Sequence, residues 1–549
     1  MKRFTAFLGS LVFMLSFATT MPIPISGRPA PSTHLTAGKP VAIRALNNGP
    51  DAVSVTAAVA SQQGSVYYVA TDGDDLNPGT EIQPFRTIKR GISVLEPGDT
   101  LYVKSGTYTE EAIRTYPSGT SWDNPITIMA YPGSTVTLKP DSGSDVLRFI
   151  RCHYIIIDQF VLDGSNVDRN GIKITTEAHH IRIQNSEVMG APRQGILITN
   201  DGPINSDYNQ IINLDVHHNG TTDFDHGLYI ATSHNLVDRS SIHNNAGWGA
   251  HIYKEGCDDC ANNNIVSNNA IYDNARVGAR GSGIILSSGN GNLAYNNLVW
   301  GNHRGIQVAY GVSDAKVYNN VVYANDGDGI YMYSSSTNAV VRNNIVFQNG
   351  GTAISDGGSG TIQDHNLVDT DPLFVDASAL DFHLQPTSPA IDTGVALSEV
   401  PDDFDGVSRP RGDGYDIGAF EFPYSFRVND LRVVAAVPGT SSLTVTLRWT
   451  APFDALSYTL RSSNTPLNEV NWGEASIVTD LIPASPPGTI ELLTTSVDYT
   501  GGTLYLALKS QNSDGAWSDL SNNAFWPHLD IYLPMIPGIR PFRPIPLRR

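Results

Sequence analysis

The sequence has 549 residues but only three cysteines, Cys152, Cys257 and Cys260. An odd and small number of cysteines excludes a fold held together by a framework of disulfides. Cys257 and Cys260 form a CxxC segment, which is compatible with a zinc site or with a disulfide inside a loop. No second CxxC pair accompanies it, so the loop disulfide is the favoured interpretation.

Charged residues are scarce, at 16% of the chain against about 25% in typical soluble domains. That scarcity argues against a long charged coiled coil. Basic residues are outnumbered, with 35 Lys and Arg against 54 Asp and Glu and a net charge of −19. The deficit disfavours nucleic-acid binding, which needs basic patches. It leaves room for an anionic substrate, because a local basic patch or a bound cation can reverse the sign nearby.

Long apolar runs are absent beyond the N-terminus. There, Met1-Lys2-Arg3 precedes an apolar run from Phe4 to about Ala18. This pattern predicts a signal peptide over residues 1–25, followed by a linker over 26–64 rich in Pro, Ala, Ser and Thr. A membrane anchor is the alternative, although a span needs about 20 apolar residues. We therefore expect a secreted or cell-surface protein with no membrane span after signal removal.

Internal repeats dominate the region from about 145 to 370. A glycine followed by an apolar, any and an apolar residue begins at Gly171, Gly195, Gly227, Gly249, Gly283, Gly305 and Gly329. Successive glycines are separated by 24, 32, 22, 34, 22 and 24 residues. A second element, Asn-Asn-apolar-Val followed by a further Asn, runs in phase from Asn296, Asn319 and Asn343.

A short period with two strands and Asn/Gly turns predicts one turn of parallel β-coil per repeat. Apolar side chains then alternate inward, and turn asparagines stack in a ladder. Leucine-rich repeats need a Leu-dominated consensus, and propellers need a period near about 40 residues, so neither fits. Phe85, Ile88, Ile92 and Leu95 fall at helical spacing and predict a cap helix over the open end.

With these repeats, the chain resembles the right-handed parallel β-helix family with the pectin-lyase-like fold. The opening segment, with Tyr67-Tyr68-Val69, Pro84-Phe85-Arg86-Thr87-Ile88 and Pro97-Gly98-Asp99, is similar to the entry of many secreted polysaccharide-active members. A later segment, with Asp371-Pro372-Leu373-Phe374 and Asp416-Ile417-Gly418-Ala419-Phe420-Glu421, resembles the closing part of many bacterial surface β-helices. The resemblance covers about 66–422 and implies an all-β fold, with a right-handed parallel β-helix (solenoid) over 65–425.

The pattern changes after the solenoid. Leu443–Trp449 and Leu504–Ser510 alternate apolar and polar residues between Gly-, Ser- and Pro-rich turns. This predicts a small β-sandwich over 426–526 that resembles a fibronectin type III module. Residues 527–549 form a Pro-rich tail.

The repeat register lets outward side chains be aligned. The third repeat position points outward and gives the column Lys173, Leu197, Tyr229, His251, Ile285, Gln307 and Tyr331. Two long intervals, each with about ten extra residues, bracket the coils that begin at Gly227 and Gly249. Loop excursions that flank such a strand can form a groove.

This groove would suit β-elimination of a uronate polysaccharide, which removes the proton next to a carboxylate. The reaction needs a base and a cation that neutralises the carboxylate. We assign Lys254 as the base, with His251, Tyr229 and His226 as proton donors or positioning groups. Arg280, or calcium on Asp223, Asp225 and Glu255, would neutralise the carboxylate. The residues expected to bind substrate are Trp248, Tyr253, Arg276, Gln307, Arg304 and Tyr331.

Other interpretations remain open at this stage. Outer tyrosines such as Tyr331 can simply cover a neighbouring strand, and Lys254 with Glu255 can form a surface ion pair of little energetic value. A non-catalytic adhesin or glycan-binding scaffold needs only the groove. An inverting glycoside hydrolase needs two carboxylates about 6.5–9.5 Å apart. In each case the expected partner is an acidic polysaccharide and the protein is expected to be a monomer.

Overall fold

The computed structural model describes residues 64–526, except 111–112, 202–204, 258–259, 279–280, 413, 423–426, 453–454, 487–488, 513–514 and 516. The signal peptide predicted over 1–25, the linker up to residue 63, the tail over 527–549 and Arg280 lie outside the described residues. Within the described part of the chain, no helix is both long and apolar enough to cross a membrane.

A right-handed parallel β-helix forms the larger part of the described chain, as the sequence predicts. Each coil contributes one strand to each of three parallel sheets, which we name A, B and C. Sheet A contains Val66–Val69, Thr100–Val103, Ile126–Ala130, His153–Asp158, His179–Gln184, Gln210–Ile212, Leu236–Asp238, Ile265–Ser267, Leu293–Tyr295, Lys316–Tyr318, Val340–Arg342 and Ile362–Asp364.

The other two sheets complete the coil. Sheet B contains Gly106–Tyr108, Val136–Leu138, Val161–Asp163, Glu187–Met189, Asp215–His217, Ser241–His243, Ala270–Tyr272, Leu298–Trp300, Val321–Tyr323, Ile345–Phe347 and Leu367–Val368. Sheet C contains Asp145–Ile150, Asn170–Thr175, Ile196–Ile198, Leu228–Ile230, Ala250–Ile252, Ser282–Leu286, Arg304–Val308, Ile330–Met332 and Ile354–Asp356.

The predicted cap helix is present but shorter than its pattern, running over Ile88–Ile92 only. Phe85 is buried ahead of the helix, where the Thr87 hydroxyl caps it by accepting from the Arg90 N–H at 3.1 Å. The Glu110 carboxylate also accepts from the N–H groups of Ile88 and Lys89, at 2.6 and 2.9 Å. This side chain, distant in sequence, therefore satisfies helix donors that the helix itself leaves free.

The repeat glycine is required by the approach of neighbouring coils. A Cβ built on Gly227 would lie 2.7 Å from the carbonyl oxygen of Gly249, and one on Gly195 would meet the Gly227 oxygen at the same distance. These contacts are with backbone, which cannot rotate away. Glycine at this position thus lets the turn between sheets B and C stack at the inter-coil spacing.

The predicted asparagine ladders are also present. Asn274 donates its side-chain amide to Asn302 at 3.1 Å, and Asn302 donates to Asn325 at 3.2 Å, inside the turn between sheets B and C. A second ladder joins Asn297 to Asn320 at 3.0 Å. The ladders satisfy buried turn backbone as well, because each amide oxygen accepts from an N–H of the preceding coil.

The Asn-Asn pairs have a conformational reason. The first asparagine of each pair, Asn296, Asn319 and Asn343, has φ of 51°, 50° and 56°. Asparagine tolerates this left-handed conformation better than most residues. The second asparagine of the pair then enters the ladder.

The segment after the last coil packs back on the outside of sheet B. It contains the antiparallel strands Phe374–Asp376 and Asp381–Leu384 and the short 3₁₀ helix Ala377–Ala379. Phe382 lies in one apolar cluster with Trp300 of sheet B. The guanidinium of Arg409 pairs with Glu421 at 2.5 Å, both side chains fully buried.

Two antiparallel sheets follow. One contains Arg432–Pro438, Ser442–Thr450 and Ile490–Asp498, and the other contains Ser457–Ser463, Ser476–Pro483, Leu504–Gln511 and Ala524–Trp526; a 3₁₀ helix spans Trp472–Glu474. Their facing side chains share a core in which Trp449 and Tyr458 meet edge to face at 5.3 Å. The fibronectin type III assignment of this sandwich stays a prediction.

Candidate functional site

The outward column predicted from the repeat register forms one line on sheet C. Strand pairing aligns Lys173, Leu197, Tyr229, His251, Ile285, Gln307 and Tyr331 on successive coils. His251 and Gln307 are only 7% and 3% exposed, so neighbouring side chains cover much of this outer surface.

The extra residues of the two long repeats are divided between both edges of sheet C. Loops 199–209 and 253–264 follow its strands, whereas loops 218–227 and 273–281 precede them. The strands of Tyr229 and His251 therefore lie between two loop walls. In the wall that follows the strands, Cys257 and Cys260 form a disulfide, the interpretation favoured from the sequence.

A directed hydrogen-bond chain runs through the two predicted histidines. The Trp248 N–H donates to Nδ1 of His226 at 3.3 Å, which places the proton of the neutral His226 ring on Nε2. That Nε2 lies 3.2 Å from Nδ1 of His251, and His251 Nε2 lies 3.3 Å from the Ser287 hydroxyl oxygen. Each ring thus has both nitrogens occupied within the protein.

Burial makes this pair neutral. It lowers the pKa of His226 to about 3. The pKa of His251 is held well below its usual value by burial and, secondarily, by His226. Because these rings are buried, uncharged and bonded to each other, we interpret them as groups that position the neighbouring aromatic side chains rather than as acids that contact substrate.

Aromatic side chains surround the histidine pair, and we call Tyr229, Trp248 and Tyr253 together the aromatic floor. The ring of Tyr229 lies 5.7 Å from that of His226, and Tyr253 stacks on His251 at 5.2 Å. Trp248 contacts both histidines, at 4.7 and 5.1 Å, and its buried indole N–H has no hydrogen-bond partner among the described residues. Burial, with the nearby Tyr253 and Glu255, raises the pKa of Tyr229 to about 12, so its phenol keeps its proton.

Lys254 begins the loop beside this aromatic floor. Its backbone is fixed by Ser288, whose hydroxyl accepts from the Lys254 N–H at 3.1 Å. Among the described residues, no carboxylate lies within 4.0 Å of its ammonium group. The surface ion pair between Lys254 and Glu255 that the sequence allowed is therefore not formed.

Asp201, which sequence reasoning did not select, adds a charge network at the same edge. Its Oδ2 accepts from the Thr175 hydroxyl at 2.8 Å and from Lys173 Nζ at 3.2 Å. Burial raises its pKa, but these bonds and the charges of Lys173 and Lys254 outweigh burial, so the pKa is lowered overall. Its place in the long repeat after Gly195 was the only sequence signal.

The carboxylates predicted to hold calcium are not brought together. Asp223 and Asp225 lie in the loop that precedes sheet C, whereas Glu255 lies in the loop that follows it. Oδ2 of Asp225 already accepts from the Thr221 and Thr222 N–H groups, at 3.1 and 2.8 Å. Within the described ranges, no three Asp, Glu, His or Cys side chains are arranged to hold a metal ion. These three residues therefore do not fit a shared calcium ion.

The remaining predicted residues occupy two other places. Arg276 lies at the preceding edge, where its guanidinium donates to the Asn219 carbonyl at 3.5 Å, away from Lys254. Arg304 lies over the Tyr331 ring at 5.1 Å and pairs with Asp328 at 3.5 Å. Gln307, on the same strand as Arg304, accepts from the Ser282 hydroxyl at 2.5 Å.

The fold and outer face define the chain as a right-handed parallel β-helix protein. Residues 67–226 match the family described as "Pel9A-like, right handed beta helix region", and residues 203–368 match the one described as "Right handed beta helix region". The chain is 28% identical over 138 residues to YwoF, an uncharacterized protein of Bacillus subtilis (strain 168). That alignment covers 23% of this chain and only 29% of YwoF.

The solved structure of a pectate lyase supports the fold. The pectate lyase Pel9A aligns with a TM-score of 0.50 and 19% identity, over 65% of this chain and 96% of the lyase. A rhamnogalacturonan lyase aligns with a TM-score of 0.42 and 14% identity, over 64% of this chain and 96% of that one. At 19% identity, the likeness to Pel9A is one of fold alone.

Proposed function

We propose that this protein is secreted or surface-attached and cleaves an acidic, uronate-containing polysaccharide by β-elimination. The observation that carries the proposal is Lys254, an amine without a carboxylate partner among the described residues, at the edge of an aromatic floor that contains a protonated tyrosine. The fold likeness to pectate lyase Pel9A supports the substrate class. It does not by itself assign the chemistry.

In this mechanism, Lys254 first releases its ammonium proton to solvent, and its amine then takes the proton from the sugar carbon next to the carboxylate. The released electron pair forms a carbon–carbon double bond as the bond to the glycosidic oxygen breaks. Tyr229 gives its proton to that oxygen, and its raised pKa ensures that the phenol carries this proton before the reaction starts. Burial, hydrogen bonding and neutrality suit His226 and His251 to holding Tyr229 and Tyr253 in place.

The negative charge that develops on the substrate needs a nearby cation. Lys173, which meets Asp201 at the same edge as Lys254, is the described cation we propose for this role. Arg280 stays a second proposal, outside the described residues. A calcium ion shared by Asp223, Asp225 and Glu255 takes no part in this mechanism, because these carboxylates lie at opposite edges of sheet C.

The test follows ultraviolet absorbance of unsaturated uronides while the purified protein acts on polygalacturonate, alginate and glycosaminoglycans, with calcium or with a chelator. Lys254→Arg keeps the positive charge but cannot act as a base, so we expect turnover to fall by about 100-fold or more. Lys89→Arg, an exposed lysine of the cap helix, is the matched control.

Full activity of Lys254→Arg would remove Lys254 as the base. Flat absorbance with rising reducing ends would indicate hydrolysis instead of elimination. No product by either measure, with binding retained, would indicate a glycan-binding scaffold.

A further inference from the structure

A second concave site lies on the opposite edge of sheet C from Lys254. This cleft has a volume of about 430 Å³, and its lining includes Asp168, Arg193, Gln194, Thr222, Phe224 and Asp225. All of these residues lie in turns that precede strands of sheet C, whereas Lys254 follows one. The aromatic floor around His226 and Tyr229 separates the two places.

The cleft wall is held in place before any ligand arrives. The Asp225 carboxylate accepts from the Thr222 N–H and hydroxyl, both at 2.8 Å, which fixes the turn that carries Phe224. Gln194 Nε2 donates to the Phe224 carbonyl at 3.4 Å and joins two adjacent coils. Asp225, predicted as a metal ligand, therefore serves as the anchor of this wall.

Polar groups of two residues that line the cleft have no partner among the described residues. Arg193 is exposed, and no carboxylate lies within 4.0 Å of its guanidinium among the described residues, although Asp168 lines the same cleft. Phe224 is 64% exposed, which is unusual for so large an apolar ring. The carbonyl oxygen of the Gln194 side chain is buried without a hydrogen-bond partner in the described structure.

These groups match the parts of one ligand class. A guanidinium binds a carboxylate through two parallel hydrogen bonds. A carboxylate such as Asp168 accepts from hydroxyl groups. An exposed aromatic ring covers the apolar face of a sugar ring. A carboxylate, several hydroxyls and an apolar face occur together in a uronic acid residue.

We propose that the cleft is a binding subsite for a uronate residue of the polysaccharide, on the far side of the floor from Lys254. Arg193 binds its carboxylate, Asp168 accepts from its hydroxyls, and Phe224 stacks on its ring. The role of the subsite in the reaction rests on the proposed function, but binding of the polysaccharide at the subsite can be measured without turnover.

The test is affinity electrophoresis of the full chain, on a Lys254→Arg background, in gels that contain polygalacturonate, alginate or hyaluronan. Arg193→Ala should weaken retardation in at least one of these gels by roughly tenfold, the value expected for a lost charged hydrogen-bond pair. In methyl-esterified polygalacturonate the same variant should behave like its parent. Phe224→Ala should weaken binding to the charged and the esterified polymer alike.

Arg169→Ala is the matched control, because Arg169 is exposed on the preceding coil, where its carbonyl accepts from the Arg193 N–H, and is outside the cleft. Equal behaviour of Arg193→Ala and Arg169→Ala would overturn the subsite even if Lys254→Arg abolishes elimination. Selective loss with Arg193→Ala in a protein that shows no elimination would support the subsite and reject the proposed reaction. Failure of all three polymers to retard the parent protein would also overturn the subsite.

Discussion

On sheet C, inward and outward positions of the same strands differ sharply in how much they vary. Inward, Ile172, Ile196, Leu228, Ala250, Ile284, Ile306 and Ile330 occupy one register position. The neighbouring outward position holds a lysine, two aliphatic residues, two tyrosines, a histidine and a glutamine. Stacking at about 4.8 Å makes similar side chains fit one another on the inside. The outside is free to vary, and the candidate chemistry is found there.

The largest effect is expected where the stacked interior is broken. In Gly227→Ala, the new Cβ meets the Gly249 carbonyl oxygen at 2.7 Å, and backbone must move. We expect the free energy of unfolding to fall by about 3 kcal/mol, measured by urea denaturation. Leu197→Ala, at the variable outward position, is the comparison and should cost clearly less. Equal losses would show that the close stacking of coils constrains the repeat glycine no more than the variable outward position.

A smaller effect is expected in the asparagine ladder. Asn302→Ala leaves the buried Asn274 N–H without its acceptor and removes one of three acceptors of the Asn274 side-chain amide, so we expect a loss of about 2 kcal/mol in the free energy of unfolding. Asn349, at the end of the same ladder, is only half-buried, and Asn349→Ala should cost less. A larger loss at Asn349 would show that burial does not set the value of a ladder position.

The smallest expected effect is a difference in pKa between two histidines. The pKa of His226 is lowered to about 3 by burial, whereas for His243 bonds to Asp215 and Asn244 outweigh burial and raise the pKa. Imidazole NMR between about pH 5 and 8 should show His226 neutral throughout, with His243 protonated to a higher pH than a free histidine. Signals can be assigned with His226→Gln and His243→Gln variants.

The direction in which His226 changes stability with pH follows from proton binding. Between pH 6.5 and about 3, the unfolded chain binds a proton at His226 that the folded chain does not, so the contribution of His226 to stability falls as the pH falls through this range. A His226 signal that titrates near pH 6.5 would contradict the buried, neutral pair.

Much of the fold follows from the sequence, because a regular coil repeats the same local requirements. The glycine spacing predicted the strand register, and the Asn-Asn pairs predicted the ladders. The bounds of the cap helix were harder to predict, because its apolar spacing continues to Leu95 but the helix ends at Ile92. Phe85 and Leu95 are buried without being helical, and burial alone can produce the same apolar pattern.

The site was predicted in part. Tyr229, His226, Trp248, His251 and Tyr253 do come together, because register alone places them on adjacent coils. Asp201 was not selected, since it lies in a loop whose side of the coil depends on loop length. Arg193 lies in a turn of ordinary length, and only the longer turn of the next coil, with Phe224, makes it part of a cleft. The tertiary structure also changed the role assigned to Asp225 from metal ligand to turn anchor, because its carboxylate accepts hydrogen bonds from its own turn.

The sequence by itself determined the period, the inward and outward faces and the column of residues on sheet C, since all three depend on local spacing. Only the tertiary structure decided on which edge of sheet C each loop lies. An interval of 32 or 34 residues fixes only the total number of extra residues, whereas packing decides which turns of the coil receive them. That division set Lys254 apart from Asp223 and Asp225, and it placed Arg193 and Phe224 in a cleft of their own.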